Sequence, residues 1–340
     1  MNILGILMLF KNVYHALLSV VVALPLVFTM GADDKEGTEV VINENATNQY
    51  IVEYMNPDIS AHRSGAGVAP QNTLMAFETM LANNAEYGVD TFEFDVQLTA
   101  DGELIVLHDL TYDSTTNAVE VYGHDSVYAS ELTLAEAKQL NMGENFQLNG
   151  EYPYIGLRGD DIPANLRVPT CEEVIDLIEA NAEGREFRYI IEIKSKGTQG
   201  FEAADKLYEL VHEKGIEDRA IWASSKLEVS YYMENKHPDM PRSAGVIEVL
   251  QFYIYARMDW DLNDVNPTYV ALQIPYGDSA AGGIINLGTK QCINYAHKYN
   301  IAAQYWTIND AEAVEYLVNN GADCIMSDYP DMVNDIVNGK

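Results

Sequence analysis

Charged and histidine side chains end several apolar segments of this 340-residue chain. The segments close with "HR" at 62–63, "EFD" at 93–95, "HD" at 108–109 and "EIK" at 192–194. Each group alone is typical of an ordinary ion pair or of an exposed polar strand end. Four such groups ending successive apolar segments indicate one shared site, because the carboxyl ends of parallel barrel strands meet at a common rim.

The carboxylates of this set predict a metal site. Residues two apart in a strand point to the same face, so Glu93 lies on the same side as Asp95, and Glu192 on the same side as Lys194. Three carboxylates buried together would raise one another's pKa unless a cation lies among them. Oxygen ligands favour Mg²⁺ or Ca²⁺. Zinc is disfavoured because no cysteine or paired histidine joins the set.

A phosphate group is the ligand that the remaining charges favour. Arg63, Lys194 and a metal ion would gather positive charge in an acidic protein, and such charge stabilises phosphate oxygens in the transition state. His62 and His108, on opposite sides, then fit a general acid and a general base. Which histidine has which role is left open by the sequence.

The elements that position these residues alternate regularly along the chain. Short apolar runs are followed by amphipathic helical stretches, which is the pattern of parallel strands joined by crossover helices. Strands are predicted over 58–63, 91–96, 188–194, 220–224, 243–248, 268–274, 302–307 and 323–327. Eight strands over about 270 residues predict an α/β fold, a (β/α)8 TIM barrel. An open doubly wound sheet is the alternative.

One segment interrupts the alternation. After Asp95 the chain reads "VQLTADGELIVLHD", in which a second strand follows after only a turn at 101–102. Parallel strands need a crossover of a dozen or more residues, so an antiparallel hairpin is expected here, and it returns His108 to the level of Asp95. Residues 110–168 are predicted to form an insertion over the C-terminal mouth of the barrel.

Composition narrows the classes of protein that fit. Acidic residues outnumber basic residues by 52 to 20, for a formal net charge of −32. Most of the surface would repel a polyanion, which argues against a nucleic-acid partner. The three cysteines, Cys171, Cys292 and Cys324, lie in apolar-periodic segments and are predicted to be buried thiols.

The N-terminus has the pattern of an export signal. Lys11 precedes an apolar run from Ala16 to Phe28, and two small residues follow. The run is shorter than the roughly 20 residues of a membrane span. We therefore predict a signal peptide over 1–32, a linker over 33–56 and a catalytic domain over 57–340. The protein is expected in the periplasm or outside the cell, with membrane contact only if the first segment stays uncleaved.

In their order and spacing, these motifs resemble those of the glycerophosphodiester phosphodiesterase family. They stand here as "HRSGAGVAPQNT", "EFDVQLTADG", "LHD", "EIK", "WTIN" and "GADCIMSDYP", over roughly residues 57–332. The resemblance implies a TIM barrel and a metal-dependent release of glycerol 3-phosphate and an alcohol from a glycerophosphodiester. It implies metal ligands at Glu93, Asp95 and Glu192, an acid/base pair at His62 and His108, phosphate contacts at Arg63 and Lys194, and an alcohol contact at Trp306. Gln273, at the end of a later strand, is added as a substrate contact. The sequence leaves open whether the nucleophile is water or the neighbouring glycerol hydroxyl, which would react by way of a cyclic phosphate.

Two departures from the family pattern concern the first loop. Ser64 stands where a glycine commonly follows "HR", and the next three residues lengthen the loop. Gln71 replaces a glutamate, which keeps a hydrogen-bonding amide and loses a charge. Neither change removes a proposed ligand or catalyst, so the loop from Ser64 to Ala69 is expected to influence substrate choice.

Two other functions fit parts of the sequence. A phospholipase-type phosphodiesterase acting on a phospholipid or lysophospholipid would be favoured by aromatic residues at the mouth, for which the candidates are Tyr112, Tyr122, Tyr128, Tyr152 and Tyr154. A non-catalytic barrel protein that only binds its ligand is the second alternative. It is disfavoured because binding alone does not require a paired acid and base.

Overall fold

A nearly closed parallel barrel organises the computed structural model, which describes residues 33–35, 37–276 and 285–339. Its strands are β1 (Asp58–Ala61), β2 (Thr91–Leu98), β3 (Leu104–Val106), β4 (Arg188–Ile193), β5 (Ala220–Ala223), β6 (Ala271–Pro275), β7 (Ala302–Trp306) and β8 (Cys324–Ser327). The sheet order is β5-β4-β2-β1-β8-β7-β6, with β3 beside β2. The predicted TIM-barrel class is confirmed.

Eleven helices are described, and most of them follow the strands and cover the outside of the barrel. They are α1 (Leu74–Ala82), α2 (Asn84–Tyr87), α3 (Ala118–Tyr122), α4 (Leu134–Ala137), α5 (Cys171–Ala180), α6 (Gly197–Lys214), α7 (Leu227–Lys236), α8 (Val246–Met258), α9 (Lys290–Lys298), α10 (Ala311–Asn320) and α11 (Pro330–Val337). Several begin at a side chain that accepts a backbone N–H of the first turn, namely Thr73, Thr170, Thr289 and Asp310.

Two residues close the barrel between β5 and β6. Arg242 bridges in parallel to Trp222 of β5, and Ser243 bridges to Ala271 of β6. The Ser243 N–H donates to Trp222 O over 3.0 Å, and the Ala244 N–H donates to Ala271 O over 2.9 Å. Arg242 and Ser243, called the two-residue stave below, take the place of the eighth parallel strand that was expected. Because the ring closes here, an open doubly wound sheet is ruled out.

The predicted strand over 243–248 was wrong, since Val246 begins helix α8. The run "VIEVLQFYIYARM" is apolar on most sides, and periodicity alone cannot separate a buried helix of that kind from a buried strand. Glu248 decides for the helix, because its Oε2 accepts the Gly245 N–H over 2.7 Å and so satisfies a backbone donor at the helix start. The other seven predicted strands are present within a few residues of their predicted bounds.

The second and third strands form a hairpin. β3 pairs antiparallel with β2, with Val96 opposite Val106, and the turn runs from 99 to 103. The Leu107 N–H donates to Asp95 O over 2.9 Å. His108 therefore returns to the rim at which Asp95 lies.

The alternation of β2 separates the core from the lumen. Phe92 and Phe94 point outward and pack against Phe77 of α1, with ring centroids 5.7 Å apart in both pairs. Glu93 and Asp95 point inward and are also buried. Carboxylates placed in this way must find partners inside the barrel, because burying a charge without one is very costly.

The segment predicted as a linker packs along the N-terminal end of the barrel. Tyr50 is 3% exposed and lies in a cluster with Ile221 and Ala302. Asn48 Nδ2 donates to Val270 O over 2.7 Å, and the Val52 N–H donates to Asp323 Oδ1 over 3.1 Å. The segment thus covers the barrel end opposite the catalytic rim.

The insertion has a small core of its own beside β3. Its buried residues are Ile105, Leu107, Tyr112, Ala118, Val127, Ala129, Leu132, Ala137, Leu140, Met142 and Val168. Tyr112 is completely buried there and does not line the mouth, whereas Tyr128 and Tyr152 are exposed. The insertion is attached to the hairpin, since the Ala100 N–H donates to Leu132 O over 2.8 Å.

Two further sequence predictions concern the cysteines and the N-terminus. Cys171, Cys292 and Cys324 are buried free thiols, as predicted. The predicted signal peptide over 1–32 lies outside the described residues. Within the part of the chain that is described, no helix is both long enough and apolar enough to cross a lipid bilayer.

Candidate active site

His62 lies directly after β1, in a short helical turn formed by His62–Ser64. Its Nδ1 is 2.7 Å from Asp328 Oδ1, and its Nε2 is 4.0 Å from Glu93 Oε2. Thr307 Oγ1 lies 3.4 Å from the same Nε2. Burial opposes the charged form, but the carboxylates of Glu93 and Asp328 outweigh it and raise the pKa of His62.

Asp328 and Asn309 fix the orientation of this imidazole. Asn309 Nδ2 donates to Asp328 Oδ2 over 2.6 Å, and the Asp328 N–H donates to Asn309 Oδ1 over 2.9 Å. The sequence motifs "WTIN" and "GADCIMSDYP" contain Asn309 and Asp328, but no role was assigned to them. Both residues are polar side chains that closely follow an apolar strand, and the same signal identified the other site residues.

His108 is held in one protonation state by its neighbours. Its Nδ1 lies 2.7 Å from Asp109 Oδ1, and Arg63 Nη2 donates to its Nε2 over 2.8 Å. A guanidinium can only donate, so His108 Nε2 must carry a lone pair and the ring must be neutral. Burial lowers the pKa of His108, and the charges of Lys194 and Arg63 reinforce this against the opposing carboxylate of Asp95.

Arg63 connects the two halves of the site. Its backbone has φ 48°, a left-handed conformation, and its N–H donates to Glu93 Oε2 over 2.7 Å. Its guanidinium also donates to Gln71 Oε1 over 2.8 Å. Gln71 therefore fixes the side chain of Arg63 without neutralising it, which a glutamate at this position would do.

The three candidate metal ligands lie on neighbouring strands. Asp95 of β2 is paired in register with Glu192 of β4, and Lys194 Nζ lies 3.0 Å from Asp95 Oδ1 and 2.8 Å from Glu192 Oε2. Burial and the nearby Asp95 raise the pKa of Glu93 to about 7. Burial acts in the same direction on Asp95, but the charge of Lys194 helps to hold its pKa below the ordinary range.

The donor atoms fit a hard divalent ion, although no ligand cage is formed in advance. Among the described residues, no three His, Cys, Asp or Glu side chains are already grouped around one point. Asn72 Nδ2 donates to Asp95 Oδ2 over 2.9 Å, while the buried Asn72 Oδ1 has no hydrogen-bond partner within the same residues. A buried carboxylate with a raised pKa, two further carboxylates and an unsatisfied carbonyl oxygen are the donors that Mg²⁺ or Ca²⁺ favours.

The two remaining predicted residues lie on another sector of the rim. Gln273 and Trp306 line a cavity of about 400 Å³ that also reaches Glu192. Gln273 Nε2 donates to Gln304 Oε1 over 2.9 Å, and Trp306 is 39% exposed. Seven predicted residues thus form one charged network, and two lie beside it.

Comparisons with known proteins identify the family of the chain. Residues 62–332 match the model of the glycerophosphoryl diester phosphodiesterase family. A glycerophosphodiester phosphodiesterase of Caldanaerobacter subterraneus is 28% identical over 279 residues, covering 82% of this chain and 97% of that protein. One from Bacillus subtilis is 26% identical over 291 residues, covering 82% of this chain and 86% of that protein.

Solved structures share the fold. An Oleispira antarctica phosphodiesterase in complex with the product sn-glycerol-3-phosphate superposes with a TM-score of 0.62 at 22% identity, covering 83% of this chain and 97% of that one. A glycerophosphodiester phosphodiesterase from Agrobacterium tumefaciens gives 0.58 at 20% identity, covering 82% and 98%. With the family match and the charged network at the barrel rim, the chain belongs to the glycerophosphoryl diester phosphodiesterase family and is an enzyme of that class.

Proposed function

We propose that the protein hydrolyses glycerophosphodiesters to glycerol 3-phosphate and an alcohol, with a divalent cation and two histidines of different roles. The arrangement that carries the proposal is the pair of imidazoles on either side of the buried carboxylates. One imidazole accepts a hydrogen bond at Nε2, and the other is held by a carboxylate at Nδ1. The product found in the Oleispira antarctica phosphodiesterase supports the choice of substrate.

His108 is the general base in this proposal. Its Nε2 lone pair faces the Arg63 guanidinium, and Asp109 retains the proton on Nδ1. A phosphate oxygen entering the site competes for Arg63, which releases Nε2 to take the proton of the attacking hydroxyl. The imidazolium formed in this step is stabilised by Asp109.

His62 is the general acid. Asp328 accepts from Nδ1 and stabilises the imidazolium, so the Nε2 proton is available to the departing alkoxide. An alkoxide leaves poorly without a proton, and the donor must therefore stand on the side of the alcohol. The complete acid and base pair also argues against a protein that only binds its ligand.

The carboxylates of Glu93, Asp95 and Glu192 would hold the cation, either Mg²⁺ or Ca²⁺. When bound, such an ion withdraws charge from the phosphoryl oxygens and stabilises the transition state. Lys194 pairs with Asp95 and Glu192 in this structure. With those carboxylates committed to a cation, its ammonium group is available to a phosphate oxygen.

The test compares two leaving groups in single variants. Choline release from glycerophosphocholine is expected to fall at least about 100-fold in both His62→Ala and His108→Ala. A glycerol phosphodiester of p-nitrophenol has a leaving group that needs no proton, so His62→Ala should recover most of its activity with it and His108→Ala should not. His124→Ala, an exposed histidine of the insertion, is the control. Equal losses of both variants on both substrates would contradict the assigned roles.

Export is also part of the proposal. It is supported by the sequence of residues 1–32 alone, with a lysine, an apolar run and small residues in the order of a signal peptide. N-terminal sequencing of the protein from a fractionated native host tests it. A full-length chain that begins at residue 1 and is found in the cytoplasmic fraction would contradict export.

A further inference from the structure

We propose that the preferred substrate is a lysophospholipid, a phosphodiester that carries one apolar chain, and that this chain lies in the cavity lined by Gln273 and Trp306. The inference rests on the proposed function and names its substrate class. The same bond is broken as in glycerophosphocholine. The chain adds binding energy at a distance from the reacting atoms.

The wall of the cavity is mostly apolar. It has a volume of about 400 Å³, and its apolar lining includes Ala244, Val249, Leu250, Tyr253, Ile285 and Leu287. Among the described residues, Glu192 is its one charged lining group, and it stands at the catalytic end. The cavity is therefore continuous with the site of phosphodiester cleavage.

Two polar side chains of this mostly apolar wall are already paired within the protein. Ser224 Oγ donates to Ile193 O over 2.8 Å, and Gln273 Nε2 donates to Gln304 Oε1 over 2.9 Å. A polar head group buried here would lose hydrogen bonds to water and regain few. An apolar chain loses none and gains free energy from leaving water. The volume corresponds to about a dozen groups at roughly 30 Å³ each, which is more than a glycerol unit requires.

Two apolar residues of the described part of the lining are exposed. Val246, the first residue of α8, is 63% exposed, and Trp306 is 39% exposed. Both line the cavity, so in this proposal Trp306 contacts the chain instead of the leaving alcohol that the family resemblance implied. Exposed apolar residues that line an apolar cavity are suited to a chain that arrives from a micelle or a bilayer.

The opposite side of the rim is polar. A second hollow of about 210 Å³ is lined by Gln71, Ser114, Asn145 and Gln147 among others. It borders the loop after β1. In the ring of eight staves, the two-residue stave at Arg242 and Ser243 lies directly across from β1. The phosphate site thus lies between a polar hollow and an apolar cavity, which matches the two ends of a lysophospholipid.

The reaction is a hydrolysis that needs no further reactant. The oxygen of water forms a bond to phosphorus, and the bond from phosphorus to the choline oxygen breaks. Choline leaves with a proton, and the acylated glycerol phosphate remains. Choline release therefore reports on lysophosphatidylcholine and on glycerophosphocholine alike.

The experiment measures kcat/KM for choline release, with Mg²⁺ or Ca²⁺ present. The substrates are glycerophosphocholine and its acetyl, hexanoyl, octanoyl and decanoyl monoesters, below their critical micelle concentrations. We expect kcat/KM to rise with chain length and to be at least about tenfold higher for the decanoyl ester than for glycerophosphocholine.

Variants in α8 test the location of the chain. Val249→Phe fills the cavity and should reduce the ratio of decanoyl ester to glycerophosphocholine about tenfold or more, with glycerophosphocholine unchanged. Val249→Thr keeps the shape of the side chain but adds a hydroxyl, so it should reduce the ratio less than Val249→Phe does. It provides a milder test if the phenylalanine prevents folding. Ile247→Phe also introduces a phenylalanine on the same helix, at a residue that does not line the cavity, and should leave the ratio intact.

The outcomes separate the two proposals. A ratio that does not depend on chain length, or an equal effect of Val249→Phe and Ile247→Phe, overturns the chain site and leaves the phosphodiesterase proposal standing. If none of the substrates is hydrolysed, both the proposed function and the chain site are overturned. Hydrolysis of the chain-bearing substrates alone supports the inference.

Discussion

At the scale of single residues, Arg63 determines how the two histidines differ. Its guanidinium reaches His108 Nε2 and Gln71 Oε1, and its backbone N–H reaches Glu93. One residue thus ties the base, the first loop and a candidate metal ligand together. The predicted list of site residues contained Arg63 as a phosphate contact, but its hydrogen bonds could not be predicted because they depend on a left-handed backbone at that position.

Gln71→Glu is expected to weaken substrate binding. The new carboxylate would pair with Arg63 and neutralise the charge that a phosphate needs. We expect KM for glycerophosphocholine to rise about tenfold with a smaller change in kcat, as measured by steady-state kinetics. Gln147→Glu adds the same charge to the same hollow without contacting Arg63 and serves as the control. An unchanged KM in Gln71→Glu would show that Arg63 does not contribute charge to binding.

The pH dependence of kcat/KM reports on His108. A base must be unprotonated, so activity falls as the pH decreases through its pKa. Burial, Lys194 and Arg63 lower that pKa, and a bound cation would act in the same direction. The midpoint of the acid limb is therefore expected below about 6.5, the value of an ordinary histidine. A midpoint above that value would argue that another group is the base.

At the scale of elements, the segment before β1 is part of the barrel. Tyr50 fills the N-terminal end of the lumen, and its hydroxyl donates to Asp218 O over 2.9 Å. The sequence predicted a linker because residues 33–50 are acidic and rich in Asn and Thr. Single apolar residues that fill the end of a barrel have no periodic signal, so this packing was not foreseeable.

Tyr50→Ala should lower the free energy of unfolding by about 3 kcal/mol, because it leaves a cavity and removes a hydrogen bond. Urea denaturation monitored by circular dichroism measures the change. Val41→Ala, in the same segment but 60% exposed, should change stability by less than about 0.5 kcal/mol. Equal effects of the two substitutions would show that the segment does not pack as described.

The sequence was sufficient to predict the strands that end in charged or polar residues. It was not sufficient to predict the two-residue stave, which has no such end. β1, β2, β4 and β8 each combine a short apolar run with a polar terminus, which fixes both their type and their direction. The stave at Arg242 and Ser243 consists of two residues, and the apolar run that follows it belongs to α8. Its pairing depends on β5 and β6 lying on either side, which local sequence does not encode.

At the scale of the whole molecule, the excess of acidic residues affects stability. A formal net charge of −32 makes the folded state repel itself, and salt screens this repulsion. We expect Tm to rise by a few degrees as NaCl increases from about 0.01 to about 0.2 M. Differential scanning calorimetry measures the shift. A Tm that does not change with NaCl would indicate that the charges are locally balanced.

Divalent ions should raise Tm by more than the screening of surface charges explains. At matched ionic strength, Mg²⁺ or Ca²⁺ is expected to raise Tm further than NaCl, because an ion bound to the folded state adds binding free energy. Glu93→Gln should abolish the additional rise, and the exposed Glu228→Gln should retain it. Retention of the additional rise in Glu93→Gln would point to unspecific ion binding.

The two-residue stave gives the barrel one weak seam. Elsewhere the ladders are longer, as between β2 and β4, where pairing runs from Thr91 with Arg188 to Val96 with Ile193. Local opening requires less free energy where fewer backbone hydrogen bonds must break, so amide exchange at Ser243 and Ala244 should be the fastest within the described barrel strands. Both residues also line the apolar cavity. Local opening at this seam would therefore change the width of the cavity, which couples the stability of the barrel to the space available for a ligand.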